Sequence, residues 1–153
     1  MDAANDPDGT IAAFVRAAGF EPETIVECVQ FGDQPDVRDA LAELVVSGSK
    51  RATTSQYRWY GEDGERLPVA GDLFVVLDAA RRPRCVCRTS AVEIRPFAYV
   101  DAAFAWDEGE ADRMLNSWRA IHEKYFADEA ALGGFTFSGE SLVVLHRFER
   151  AKA

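Results

Sequence analysis

Two neighbouring stretches of strand-forming residues place the strongest constraint on the fold of this chain. The first, residues 73–78 (LFVVLD), is almost entirely apolar and follows a turn at 67–72. The second, residues 84–95, is separated from it only by the short segment 79–83. Such a short connection joins antiparallel strands, because parallel strands need a crossover of about a dozen or more residues. The sequence therefore predicts an antiparallel pair in the core of the domain.

Helical periodicity marks the segments on either side of these strands. From Val37 the apolar residues recur at helical spacing until Gly48, and a shorter helix is predicted to begin at Thr10. The longest helix is predicted to begin at residue 110 or 111, with Trp118 and His122 on its apolar face. A last strand is expected at 141–149, whereas residues 24–31 fit either a strand or a linker. This order indicates an α+β, barrel-like domain with two or three surface helices.

The charge of the chain limits its partners. A net charge of −9 disfavours non-specific binding to long nucleic acid, which usually requires a basic face. Two stretches are locally basic: residues 49–58 contain Lys50, Arg51 and Arg58 without any acid, and residues 81–95 contain several arginines and a single glutamate. If these stretches are neighbours in space, they can offer a cationic cleft to a phosphate.

Cysteine usage and hydropathy bear on the compartment. Three cysteines without a regular framework are typical of a reducing compartment, and Cys85 and Cys87 are expected to lie buried on one face of a strand. The acidic N-terminus is unlike a secretory signal, and no apolar run approaches the ~20 residues that span a bilayer. We therefore expect a cytoplasmic protein without a membrane partner. With no C-x-x-C motif and two histidines, a metal site is not expected either.

A short motif and an ordered set of further segments resemble a known family. Residues 48–53 (GSKRAT) match the pattern G-x-K-x-x-T. The other matching segments follow in the expected order: Phe31-Gly32-Asp33, Trp59-Tyr60, Leu67–Asp72, Cys87–Ile94, Phe104–Glu110 and Trp118-Arg119. On these residues the chain is similar to ASCH domains over residues 28–150. Residues 1–27 are then an N-terminal tail and short helix.

The resemblance carries implications for fold and function. It implies a PUA-like antiparallel β-barrel with two to three peripheral helices, and a role near RNA. Small bacterial members include an amidohydrolase that removes the acetyl group from N4-acetylcytidine, without a cofactor or metal. In that pattern the working residues correspond to Lys50, Thr53 and Glu108, although Glu110 lies only two positions from Glu108. Other members are linked to cleavage of single-stranded RNA.

Amide hydrolysis needs an activated nucleophile. The hydroxyl of Thr53 is a weak nucleophile until a base takes its proton, and Lys50 can act as that base only if its pKa falls. A nearby cation, Arg51 or Arg58, would lower it. Alternatively, Glu108 with a raised pKa would activate water.

Aromatic residues complete the predicted site, and the histidines have another interpretation. The predicted substrate-binding residues are Arg51, Arg58, Trp59 and Trp106, and the two tryptophans would stack on a pyrimidine. His122 and His146 fit packed, hydrogen-bonded core histidines better than an acid–base pair. Three functions remain open: a hydrolase of a modified nucleoside, a non-catalytic RNA-binding module, and a single-stranded RNA nuclease. The expected partner is a nucleoside or single-stranded RNA, and the oligomeric state is left open.

Overall fold

A computed structural model describes residues 5–61 and 63–152 of the chain. Its helices are α1 (Thr10–Ala17), α2 (Pro35–Ser47), α3 (Ala102–Glu108) and α4 (Leu115–Gly133). Its strands are β1 (Ile25–Val29), β2 (Ala52–Gln56), β3 (Leu73–Leu77), β4 (Pro83–Pro96) and β5 (Leu142–Arg150). The α+β class is confirmed, but the described part of the chain has four α-helices rather than two or three.

The strands form one mixed sheet in the order β1-β3-β4-β5-β2. The predicted β3–β4 hairpin is antiparallel, as are the β4–β5 and β2–β5 pairs. The prediction of an antiparallel sheet fails at β1, which pairs with β3 in parallel. Among the described strands β1 and β2 lie at opposite edges, so the sheet is open where a closed barrel was expected. Parallel pairing joins segments distant in sequence, so the local pattern of residues 24–31 could not reveal it.

The N-terminal helix α1 covers part of one face of the sheet. Ile11 and Val15 are buried against Ile25 of β1 and Val75 of β3. The Asp6 carboxylate accepts hydrogen bonds from the backbone N–H groups of Ile11 and Ala12, in the first turn of α1. It therefore stabilises the positive end of this short helix. The predicted tail at 1–9 is described only from residue 5; residues 1–4 lie outside the described residues.

Helix α2 and the pair α3–α4 complete the core. Helix α2 packs Ala42 and Val45 on Phe74, and the same cluster buries Cys85 and Cys87, as predicted. A separate cluster joins residues of α3, α4, β2, β5 and the turn that precedes α3: Ala52, Phe97, Val100, Phe104, Ala105, Trp118, Phe126, Val143 and Leu145. The N–H of Lys50 donates to the carbonyl of Leu44 in α2, and the N–H of Arg51 donates to the carbonyl of Asp107 in α3. The C-terminal end of α2, the start of β2 and the end of α3 therefore meet at one place.

Helix α4 begins later than its sequence suggests. We predicted a start at residue 110 or 111, whereas the helix begins at Leu115. The reason is backbone conformation: Ala111 (φ 52°) and Arg113 (φ 65°) adopt left-handed geometry that an α-helix cannot contain. The segment 109–114 is consequently a loop. Within residues 5–61 and 63–152, no helix is long and apolar enough to cross a membrane.

Candidate active site

Lys50 is among the largest fully buried side chains in the described structure, with 2% of its surface exposed. Gly48 ends α2 in a left-handed conformation (φ 88°), and the N–H of Lys50 then donates to the carbonyl of Leu44. This turn directs the side chain inward just before β2. Its ammonium donates to the carbonyl of Ala52 (2.8 Å) and to Oε2 of Glu110 (2.8 Å), and Oε1 of Glu108 lies 3.3 Å away.

Glu108 ends α3 and is 1% exposed. Its Oε2 atom accepts hydrogen bonds from Oγ1 of Thr54 (2.6 Å) and Nε1 of Trp118 (2.6 Å), and Nε2 of His122 lies 3.2 Å from the same atom. The carboxylate thus receives donors from β2 and α4 on one oxygen and the Lys50 ammonium on the other. These contacts fix its orientation.

Glu110 lies on the 109–114 loop, with 27% of its side chain exposed. Arg113 holds this loop in place: its guanidinium stacks on the Trp106 ring (4.0 Å) and donates to the carbonyls of Trp106 and Ser49. A Cβ added to Gly109 would overlap the carbonyl oxygen of Ser49, so the loop passes very close to the segment that carries Lys50.

The pKa values of Lys50 and Glu108 shift in the directions opposite to those predicted from the sequence. Burial alone would lower the pKa of Lys50, but Glu108 and Glu110 outweigh it and raise the pKa above its usual value. Burial alone would raise the pKa of Glu108, but Lys50, His122 and Thr54 hold it far below the usual range. At neutral pH Lys50 is therefore an ammonium with no lone pair to accept a proton, and Glu108 is a carboxylate whose lowered pKa makes it a poor base.

A cavity of about 360 Å³ opens beside these groups. Its polar wall contains Lys50, Thr53, Thr54, Glu108, Glu110 and His122, and the ring of Phe31 lies 5.2 Å from the ammonium of Lys50. The remaining wall is mostly apolar and includes Val37, Leu41, Ile121, Tyr125 and Phe126. This volume is at the lower end of the range of small-molecule pockets, roughly 300–1,000 Å³.

The structure brings together some of the predicted site residues. Lys50, Thr53 and Glu108 line the cavity, whereas Arg51 forms an ion pair with Asp107 (2.9 Å) and is not among the described lining residues. Trp106 is half-exposed and stacks under Arg113.

Arg58 and Trp59 belong to a different region. Arg58 lies over the ring of Phe135 (3.3 Å) and lines a second cavity of about 270 Å³. Trp59 packs edge-on against Phe135 and donates to Glu129. Neither residue is among those described as lining the first cavity.

Three polar residues of the site were missed. Thr54, Trp118 and His122 all contact Glu108, and we had assigned His122 to the core. The only sequence signal was the i, i+4 spacing of Trp118 and His122, which places an indole N–H and an imidazole on the same helical face. Glu110, predicted as the alternative acid, lines the cavity together with Glu108.

Some of these groups also have the chemistry of metal ligands. One ligand atom from each of Glu108, Glu110 and His122 lies within 4.8 Å of the others. However, the Lys50 ammonium lies between the two carboxylates, at 3.3 and 2.8 Å, where it supplies the positive charge that a metal ion would otherwise bring. In this arrangement the cluster is an ion-pair network.

Comparison with known proteins agrees with this architecture. An ASCH domain model matches residues 27–152. The structure is similar to that of an ASCH domain from Lactobacillus crispatus, with a TM-score of 0.83, 26% identity, and coverage of 98% of this chain and 95% of that one. It is also similar to a protein from Enterococcus faecalis, with a TM-score of 0.76, 32% identity, and coverage of 91% and 88%. No curated protein matches. Because the family model spans most of the chain, the protein belongs to the ASCH domain family.

Proposed function

We propose that this ASCH protein is a metal-independent amidohydrolase that removes an acyl group from a modified nucleoside such as N4-acetylcytidine. The family is associated with RNA and is hydrolase-like in general. The observation that carries the proposal is a buried ammonium, paired with two carboxylates, in the wall of a cavity of nucleoside size.

The walls of the cavity suit a planar base. Phe31 and Tyr125 offer aromatic surface, and Val37 and Ile121 offer apolar surface on opposite helices. Bases stack readily on such side chains, and each stacked base contributes roughly 1–3 kcal/mol. A ligand held between these walls would present a substituent on its ring to the polar groups deeper in the cavity.

In this proposal Lys50 stabilises the oxyanion. The attacked amide carbonyl becomes a tetrahedral oxyanion, and a preorganised cation in a site shielded from water stabilises that charge strongly. Because Glu108 and Glu110 keep Lys50 charged, the ammonium is present before substrate binds. Its N–H groups reach Ala52, Glu108 and Glu110, and in this proposal the one on Glu110 turns to the oxyanion when Glu110 takes up a proton. Glu108, whose oxygens are all occupied, orients Lys50 and does not take a proton.

Thr53 remains the predicted nucleophile, and Glu110 replaces Lys50 as its proposed base. Glu110 is the more exposed of the two carboxylates, and both it and Thr53 line the cavity. The hydroxyl of Thr53 would attack the acyl carbon while its proton passes to Glu110, and water would then release the acyl group.

The alternative functions receive less support from the charges around the cavity. A phosphate-binding groove needs free cations. Lys50 is instead paired with two carboxylates, and Arg51 is paired with Asp107. This pairing disfavours both a non-catalytic RNA-binding module and a single-stranded RNA nuclease centred on the cavity.

A substrate panel tests the proposal. Pure protein would be incubated in EDTA with N4-acetylcytidine, other acylated nucleosides and single-stranded RNA, and the products separated by chromatography. We expect free cytidine from N4-acetylcytidine and intact RNA. Cleaved RNA with no deacylated nucleoside would favour the nuclease, and salt-sensitive RNA binding without any product would favour the binding module.

A further inference from the structure

Both ring nitrogens of His122 face hydrogen-bond acceptors. Nδ1 lies 2.8 Å from the carbonyl oxygen of Trp118, one turn earlier in α4. Nε2 lies 3.2 Å from Oε2 of Glu108. A carbonyl oxygen can only accept, so Nδ1 must carry a proton. The charge of the ring then depends on whether Glu108 also requires a donor.

The partners of Glu108 show that it is ionised. The indole N–H of Trp118 and the ammonium of Lys50 can only donate, and they occupy different oxygens of the carboxyl group. The Lys50 ammonium, 3.3 Å from Oε1, also holds the pKa of Glu108 far below its usual range despite the burial, so the carboxyl group is ionised. With Glu108 a carboxylate, Nε2 of His122 must be protonated as well.

The surroundings of the ring also favour a positive charge. His122 stacks on the indole of Trp118 with ring centroids 4.4 Å apart and an interplanar angle of 20°. Cations bind favourably to the face of an indole. Of the other ionisable groups that line the cavity, Glu110, Asp33 and Tyr125 bring no positive charge, and Lys50 is already paired with Glu108 and Glu110.

We infer that the His122 ring is a positively charged imidazolium in the unliganded protein at neutral pH. We further infer that it is the acid that protonates the leaving nitrogen in the proposed deacylation. The side chain lines the cavity and is 13% exposed, so part of the ring can meet a bound ligand. Only the role of His122 as an acid rests on the proposed function. The charge state is a property of the protein alone.

The proposed step balances as follows. The carbon–nitrogen bond of the tetrahedral intermediate breaks, and its electron pair passes to the nitrogen of the leaving base. That nitrogen takes the proton from Nε2 of His122, which becomes a neutral imidazole. The proton that Glu110 removed from the nucleophile returns to the imidazole through solvent after the acyl group is hydrolysed, so the sum is amide plus water to amine plus carboxylic acid.

The charge state can be measured without substrate. Two-dimensional ¹H–¹⁵N spectra of histidine side chains would be recorded on the unliganded protein from pH 6 to pH 9, with His122→Gln used to assign the signals. We expect both nitrogens of His122 to be protonated at pH 7.5. A neutral ring with one unprotonated nitrogen at that pH would overturn the inference.

The role of His122 as an acid is tested by comparing substrates whose leaving groups do and do not need a proton. His122→Gln retains an N–H donor for Glu108 but cannot release a proton. We expect it to lower kcat for N4-acetylcytidine by about 100-fold or more. For 4-nitrophenyl acetate, whose leaving group needs no proton, we expect a much smaller loss. Glu123→Gln, at an exposed position of the same helix, is the matched control and should not change either rate.

Each kinetic outcome has a distinct meaning. An equal loss with both substrates would assign His122 a positioning role and overturn its role as an acid. If the wild-type protein deacylates neither the nucleoside nor any other amide, the proposed function fails and the catalytic role with it. The NMR spectra would still decide the charge state in that case.

Discussion

The ammonium nitrogen of Lys50 lies 3.3 Å from Oε1 of Glu108, across a separation of 58 positions in the sequence. Both side chains are 1% exposed. Removing two such charges from water costs several kcal/mol per ion, and their attraction offsets this only with good geometry and further hydrogen bonds. Glu110, Thr54, Trp118 and the carbonyl of Ala52 provide those hydrogen bonds. An arrangement this costly favours a functional reason for the pair.

Removing the positive charge alone should destabilise the protein. In Lys50→Met the carboxylate of Glu108 stays buried without its cation, and we expect the free energy of unfolding to fall by about 3–5 kcal/mol. Urea unfolding at pH 7 measures this. The double variant Lys50→Met/Glu108→Gln removes both charges and should recover part of the loss. A double variant less stable than the sum of the two single changes would contradict the pairing.

The adjacent threonines of β2 should differ in what they do. Thr54 donates to the buried Glu108 carboxylate, so Thr54→Val should lower the free energy of unfolding by roughly 1.5–3 kcal/mol. Thr53→Val should change stability less but remove turnover, whereas Thr53→Ser should retain it. Thermal unfolding and deacylation assays separate the two effects. If Thr53→Val keeps full turnover, Thr53 is not the nucleophile.

His146 should make the protein sensitive to acid. Burial lowers its pKa to about 4, from an ordinary value of 6.5. Between these values the unfolded chain binds a proton that the folded protein does not, so stability is lost as pH falls from 6.5 towards 4. The loss should reach roughly 2–3 kcal/mol. Unfolding curves of wild type and His146→Gln at pH 7 and pH 4.5 would measure it, and equal losses in both proteins would exclude His146 as the cause.

Gly109 should tolerate substitution less well than a glycine of similar geometry. Gly109 (φ 71°) and Gly134 (φ 75°) both have left-handed backbones, so alanine at either site introduces strain of about 1 kcal/mol. At Gly109 the new Cβ would also meet the backbone of Ser49, whereas at Gly134 no atom of the residues that the structure describes would lie within 4 Å of it. We expect Gly109→Ala to destabilise the protein more and to reduce turnover by displacing Glu110. If alanine at Gly109 and alanine at Gly134 change the free energy of unfolding and the turnover equally, the close approach of the loop to Ser49 is not important.

Local patterns predicted the parts of the fold that depend on local interactions. The β3–β4 hairpin follows from a short turn between two strand-forming runs, and α2 ends at Gly48 as expected. The parallel β1–β3 pair depends on contacts between distant segments, which periodicity does not encode. The start of α4 was misplaced because residues 110–114 have ordinary helical composition but a backbone that interrupts the helix.

The site was predicted in part for a similar reason. The motif pointed to Lys50 and Thr53, and the acidic turn to Glu108 and Glu110, all of which line the cavity. Trp118 and His122 were indistinguishable from core residues, because a helical face that packs on the core looks the same whether or not a carboxylate meets it. The directions in which the pKa values of Lys50 and Glu108 shift depend on these contacts between distant segments, which residue spacing does not reveal.

The most direct test of the account is the rate of N4-acetylcytidine hydrolysis in EDTA by wild type and by Lys50→Met. It would be measured at a temperature where circular dichroism shows the variant to be folded. We expect steady release of cytidine by the wild type and a loss of 100-fold or more in kcat/KM on removal of the ammonium. Turnover by the folded variant at the wild-type rate would contradict it.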